Sequence, residues 1–340
     1  MSRIANDNSD KTAPREPDDN IIQPFQLEVS GLRGRVVRIG SILEAMQASH
    51  AYPQPVAALL AETAATALLL SSMLKYEGVF TLQTSGDGPV RTLVADVTTS
   101  GHIRCYAGFS EDVIKAMEAA DKRPDYGAYA GFDMGHLCGK GYLAFTVDQG
   151  EHMERYQGIV ALSGPTLADT VQHYFDQSEQ IGTSIKVAAH HDEKTGWRAG
   201  AIMLQRMPDP SIGVQGNDTV LPIRPDLAEA KEEDWSRARI LLQSVTEKEL
   251  VNADLHSHEL LVRLFHEEGV RIFPAQPVIN KCRCSGDRVA RVLATLSDDD
   301  REHASQDGVI EMKCEFCSKT YRFDTNTLSC IEVEPNQVTH

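Results

Sequence analysis

Lys281-Cys282-Arg283-Cys284 and, after a spacer of 29 residues, Cys314-Glu315-Phe316-Cys317 decide how the C-terminal part of this chain can fold. Four of its 7 cysteines fall in these two clusters. Paired soft ligands at such spacing suit a tetrahedral Cys₄ zinc site. Residues i and i+2 of an extended segment share a face, so Cys282 and Cys284 can reach one metal; the C-x-x-C fits a tight turn that aims both sulfurs inward. A helix-like stretch, Asp287–Leu296, and an acidic loop, Asp298–Asp300, fill the spacer. From Lys281 to Arg322 there are 8 basic and 8 acidic residues, so charge does not mark a nucleic-acid surface. The segment is too small to fold on an apolar core alone, and a zinc ion would supply on the order of 10 kcal/mol of folding energy.

Three readings of these thiols compete: a structural zinc ribbon, a thiol oxidoreductase, and a zinc-dependent redox switch. No thioredoxin-like βαβ pattern surrounds the C-x-x-C, which weighs against the oxidoreductase. The switch has a specific physical basis. Zinc-bound sulfurs are thiolates, the form that oxidants attack, and losing them as ligands removes the metal and its folding energy. Pairing of sequence neighbours is geometrically open to both clusters, although a C-x-C ring is tight. Lys281, Arg283 and Lys313 stand beside the sulfurs and could hold their charge. Cys105 lies in a strand pattern and reads as a core thiol. Cys138 has no base placed beside it, and Cys330 has no partner spacing.

Working outward, 340 residues with 41% hydrophobic and 24% charged content describe a soluble chain of about two domains. A net charge of −16 argues against a phosphate-binding surface. The opening residues 1–20 are polar and read as a disordered tail, without a secretory signal, which points to the cytoplasm, where thiols stay reduced. Val56–Leu74 is long enough to span a bilayer, but Glu62 and several hydroxyl residues interrupt it, and Pro55 suits a helical first turn. It reads as a buried helix, with no membrane partner expected.

Residues 21–207 alternate strand and helix patterns. Strands are expected at Phe25–Val29, Arg35–Ile39, Gly78–Thr84, Val90–Thr98, His102–Ala107, Tyr142–Val147, Tyr156–Leu162, Ser184–Ala189 and Trp197–Gln205, with an amphipathic helix at Thr166–Gln177. Hairpin-like runs favour α+β with an antiparallel sheet over a doubly wound fold. A Pro/Gly-rich stretch from Met207 to Pro225 opens a helical linker, 208–278. Trp235, Ala238, Leu241, Leu242 and Val245 follow a helical period, Thr246 and Glu249 form a capping-box pattern, and Leu260, Leu261, Leu264 and Phe265 form a second apolar stripe ending at Gly269. His256, His258 and His266 read as an exposed polar face. The small Cys₄ domain occupies 279–330, and 331–340 reads as a tail.

Leu32-Arg33-Gly34-Arg35-Val36-Val37-Arg38, Tyr156-Gln157-Gly158-Ile159-Val160, His173 to Gln180, Phe265 to Phe273, Gln276-Pro277-Val278, and the C-x-C and C-x-x-C themselves follow one another along the chain. In this order they resemble the bacterial 33 kDa chaperonin family of redox-regulated holdases. The resemblance covers about Phe25 to Phe323. It implies zinc held by Cys282, Cys284, Cys314 and Cys317 in a quiescent, monomeric, reduced state. Oxidation would form Cys282–Cys284 and Cys314–Cys317 disulfides, release zinc, unfold module and linker, and give a dimer that holds unfolding client proteins without ATP. Trp235, Leu241, Leu242, Leu261, Leu264 and Phe265 are the client-binding candidates, and no catalytic residue is assigned. The chain departs from the family in its N-terminal extension and in Arg283, where a small residue is typical.

Overall fold

The computed structural model describes residues 18–120, 133–150, 155–179, 181–206 and 225–334. The chain opens with the hairpin β1 (Ile21–Leu27) and β2 (Arg33–Ile39), then helices α1 (Ser41–Gln47) and α2 (Gln54–Ser71). A meander β3 (Val79–Gly86), β4 (Val90–Thr98), β5 (His102–Phe109) leads through α3 (Glu111–Ala120) and α4 (Met134–Cys138) to β6 (Gly141–Asp148) and β7 (Tyr156–Ala161). Helix α5 (Leu167–Tyr174), extended by a π-helical turn over Phe175–Glu179, precedes β8 (Thr183–Asp192) and β9 (Gly196–Gln205). Helices α6 (Pro225–Ser244), α7 (Glu247–Val251) and α8 (Ser257–Phe265) follow, then the short strands β10 (Val270–Ile272), β11 (Gln276–Pro277) and β12 (Ile279–Asn280). The C-terminal module contains α9 (Gly286–Leu293), α10 (Asp298–His303), β13 (Ser305–Gln306), β14 (Val309–Lys313), β15 (Thr320–Asp324) and β16 (Cys330–Glu334).

These strands form three sheets, in the orders β10-β1-β2-β9-β8 (with β11 also on β1), β12-β5-β4-β3-β6-β7, and β13-β14-β15-β16. Every described pairing is antiparallel except β12 on β5, so the fold is α+β, as the hairpin-like runs require. Helix α2 lies between the first two sheets, buried from Pro55 to Ser71. By length and composition alone it is apolar enough to cross a membrane, yet 94% of it is buried inside the fold. A helix enclosed on all sides needs no polar stripe, which is why its sequence shows none.

The first sheet is buried on both faces, and β9 shows how. Ala199, Ala201 and Met203 face α2, whereas Ile202 and Leu204 face the linker helices. Alternation with both faces covered turns a strand into a continuous apolar run. Phe25, Leu27, Val36, Trp235, Leu242 and Phe265 belong to that second core, with the Phe25 and Phe265 rings stacked 6.0 Å apart. Gly200 permits the close approach of α7: a Cβ there would lie 2.3 Å from the Leu250 carbonyl oxygen.

Several sequence expectations shift. Asp298–Asp300, read as a loop, is the first turn of α10, where Ser297 Oγ caps the Asp300 N–H and the aspartates meet the positive helix end. Asp18 and Asp19, placed in the tail, are bound: Asp18 accepts from the Ser257 N–H (2.7 Å), and Asp19 pairs with Arg198 (3.1 Å). Past Gly269, where the helical stretch stops as the sequence predicts, β10 and β11 add to the free edge of β1. Residues 331–334 continue β16 against β15. His256 and His258 are half-buried rather than an exposed face: His258 Nε2 lies 3.1 Å from Gln23 Oε1, and His256 caps α8. The expectations for residues 1–17 and for the Pro/Gly-rich stretch 207–224 lie outside the described residues.

Candidate metal centre

Residues Cys282 and Cys284 sit on the extended chain just after β12, before Ser285 caps α9. Cys314 and Cys317 sit in the turn between β14 and β15. The Cys314 N–H donates to the Lys319 carbonyl (2.9 Å) and the Ser318 N–H to the Cys314 carbonyl (2.8 Å), with Ser318 in the left-handed region at φ 54. All four Sγ atoms lie within 4.8 Å of one another. Cys282 and Cys314 are 3.7 Å apart, and Cys284 and Cys317 are 3.4 Å apart. Zinc–sulfur bonds of about 2.3 Å in a tetrahedron require sulfur separations of about 3.8 Å, so the donor set fits that ion in number, chemistry and size. The close contacts run across the two clusters rather than along the chain.

Proximity shifts the ionisation of these thiols in opposite directions. The hydrogen bond with Cys314 draws the Cys282 thiol down to about 4, helped by the Cys284 N–H and Arg104 against the effect of burial. The same contact, with burial, pushes Cys314 up, and burial raises Cys317 to about 11. A divalent ion among the four sulfurs would let all of them ionise. The Tyr321 hydroxyl donates to Cys284 Sγ at 3.1 Å. The module's own core is small, Leu293, Ile310, Tyr321 and Phe323, which leaves the sulfur cluster as its second organising element.

An anchor to the N-terminal sheet lies directly behind the sulfurs. Arg104 on β5 reaches Cys282 Sγ with Nη1 (3.8 Å), bonds Asp96 on β4 through Nη2 (2.6 Å), and covers the Phe316 ring with its guanidinium 3.8 Å from the centroid. Arg283 also donates to Asp96, at 2.8 Å. Burial pushes the Asp96 carboxyl up, but the Thr81 hydroxyl and the two guanidiniums outweigh it and hold Asp96 below the ordinary range. Lys281 and Lys313 are exposed. Arg104 was not legible in the sequence, because it lies 178 positions from Cys282; its only trace is its place as an outward residue of β5.

Trp235, Leu242, Leu261 and Phe265 are buried against the outer face of the first sheet, and Leu241 and Leu264 pack at its margin. This apolar face is separate from the sulfur cluster. Arg38 of β2, 1% exposed, fastens it by donating to the carbonyls of Glu249 (2.9 Å), Asn252 (2.7 Å) and Leu255 (2.6 Å). Cys105 and Cys138 are buried core thiols. Burial pushes both up, Cys138 to about 12, which makes them poor nucleophiles. Cys330 is exposed.

The profile of the Hsp33 protein family matches residues 20–324. A 33 kDa chaperonin of Caulobacter vibrioides is 37% identical over 311 residues, covering 90% of this chain and 95% of the relative. One from Nitrosococcus oceani is 35% identical over 301 residues, covering 88% and 90%. The crystal structure of the 33 kDa chaperonin of Thermotoga maritima superposes with a TM-score of 0.71 at 19% identity, covering 91% of this chain and 96% of the other, and so shares its fold. Matched along nearly its whole length by the family profile and by full-length relatives, this chain belongs to the Hsp33 family.

Proposed function

We propose that this chain is a heat-shock chaperone of the holdase type, ATP-independent and cytoplasmic, switched on by oxidation of a zinc-bound Cys₄ centre. The observation that carries the reading is the convergence of four sulfurs within 4.8 Å in a module whose own core is four buried side chains. Zinc bound by Cys282, Cys284, Cys314 and Cys317 would keep them as thiolates and add folding energy on the order of 10 kcal/mol. The chain's own residues supply the rest. Arg104 and Tyr321 face the sulfurs and favour their charged form, and Asp96 holds Arg104 and Arg283 so that the module stays docked.

On oxidation, two thiolates of a sequence-neighbour pair, Cys282–Cys284 or Cys314–Cys317, form one S–S bond. They pass two electrons to hypochlorous acid, which takes up a proton and leaves as chloride and water. A module without its sulfur cluster loses its fold, and the linker helices, marginal without their neighbours, detach. Trp235, Leu241, Leu242, Leu261, Leu264 and Phe265 then present apolar surface to unfolding clients, and the same surface favours dimers over the reduced monomer.

Light scattering of a heat-unfolding client tests this directly, with the protein either reduced and zinc-loaded or treated with hypochlorite. Suppression by the oxidised sample alone is the expected result. Equal behaviour of both states would reduce the cysteines to a structural zinc site and make the module a constitutive interaction domain.

A further inference from the structure

The outer edge of β5 is occupied by the chain itself. Strand β12 adds to it in parallel, the Ile279 N–H donating to the Gly101 carbonyl and the Lys281 N–H to the Ile103 carbonyl, both at 3.0 Å. Further along the strand, the Ala107 N–H donates to the Tyr52 hydroxyl at 3.1 Å. Beside this edge lies an aromatic patch. His50 is 5.0 Å from Tyr52 and 5.8 Å from Tyr106, and Tyr52 is 5.8 Å from Phe109, centroid to centroid. Phe316 closes the patch, 6.2 Å from Tyr106, with its carbonyl 3.5 Å from the His50 ring. Arg104 and Tyr106 share one face of β5, while Cys105 and Ala107 are buried on the other.

We infer that the β5 edge and the patch of His50, Tyr52, Tyr106 and Phe109 form a docking groove for an extended apolar polypeptide segment, which the reduced cysteine module fills as an internal stand-in. The inference rests on the holdase reading and names a client surface apart from the linker helices. The occupant is argued from what is already seated there. An extended strand bound by main-chain hydrogen bonds, with a ring set among aromatics, is the β-addition mode of peptide recognition, and it asks little of the side-chain sequence. An unfolded client segment offers the same two elements. Both pieces of the stand-in are tied to the sulfurs: Lys281 adjoins Cys282, and Phe316 lies between Cys314 and Cys317. Loss of the four-sulfur arrangement therefore withdraws strand and ring together.

The test uses the full-length protein and a fluorescein-labelled peptide copying residues 276–284, with serine at both cysteine positions. Fluorescence anisotropy should show binding to the oxidised protein and at least roughly tenfold weaker binding to the reduced, zinc-loaded form, with unfolded luciferase displacing the peptide. Tyr106→Ala should weaken peptide and client binding about tenfold while zinc content in the reduced state stays as in the parent. Phe316→Ala, which removes the ring but leaves β12 seated on β5, should still exclude the peptide until oxidant is added. An oxidised protein that suppresses aggregation yet ignores the peptide, or a Tyr106→Ala variant with parental affinity, overturns the groove and leaves redox gating standing. Failure of the oxidised protein to suppress aggregation at all overturns the holdase reading, and the groove with it.

Discussion

Replacing Arg283 by serine removes one strand of the anchor between the cysteine module and the N-terminal sheet and leaves all four sulfurs in place. Arg283 Nη2 donates to Asp96 Oδ2 at 2.8 Å, and the two side chains are 27% and 7% exposed. Hydrogen bonds to charged groups contribute about 1.5–3 kcal/mol. Arg104 still pairs with Asp96 in the variant, so no buried carboxylate is orphaned, and Arg283 is partly solvated. The lower end, about 1.5 kcal/mol, is therefore appropriate, close to a tenfold rise in the undocked fraction. The assay is hydrogen exchange of the Ile279 and Lys281 amides, whose bonds to the Gly101 and Ile103 carbonyls exist only in the docked state. Arg283→Ser should lower their protection about tenfold with zinc content unchanged. Asp96→Asn should act in the same direction, and the double variant should fall short of the sum, because the two residues share one contact. Protection within about twofold of the parent in Arg283→Ser would refute the anchor, since even a weak charge-assisted bond exceeds that change.

Two further outcomes follow from burial. Phe265→Ala removes a fully buried ring stacked on Phe25 and should cost about 3–5 kcal/mol; reduced, zinc-loaded protein should then bind an apolar dye and be cut by trypsin within the linker, and unchanged dye binding would refute the linker's dependence on this contact. Glu62 lies fully buried in α2, where burial foremost, and the Glu247 charge after it, push its carboxyl well above the ordinary value. The native state therefore keeps this proton above the ordinary value while the unfolded chain releases it, so its contribution to stability falls as pH rises, by up to about 1.4 kcal/mol per unit. Glu62→Gln should flatten the pH dependence of Tm between mildly acidic and alkaline buffer and gain most at the alkaline end; parallel curves would contradict this.

The strands of the N-terminal domain were legible because each shows either an apolar alternation or, where both faces are covered as in β9, a short apolar run, and α2 because a long apolar run bounded by Pro55 can be little else. The capping box of Thr246 and Glu249 fixed the start of α7 from local chemistry alone. Cys282, Cys284, Cys314 and Cys317 were legible as candidate ligands because their spacing is itself the signal, and the structure brings their sulfurs within 4.8 Å of one another. What escaped was everything set by contacts across long sequence separations. Asp96 and Arg104 look like ordinary strand charges until β12 lays Arg283 and the sulfurs over them. Asp18 reads as tail until it meets Ser257, 239 positions away. Arg283 stands beside two cysteines in the sequence, yet its guanidinium is held by the carboxylate of Asp96 on β4. Spacing along the chain therefore determined which atoms could bind a metal. Only the tertiary fold decided which charges face that centre and which surface the module covers, because those depend on which strand edges are left open to be paired.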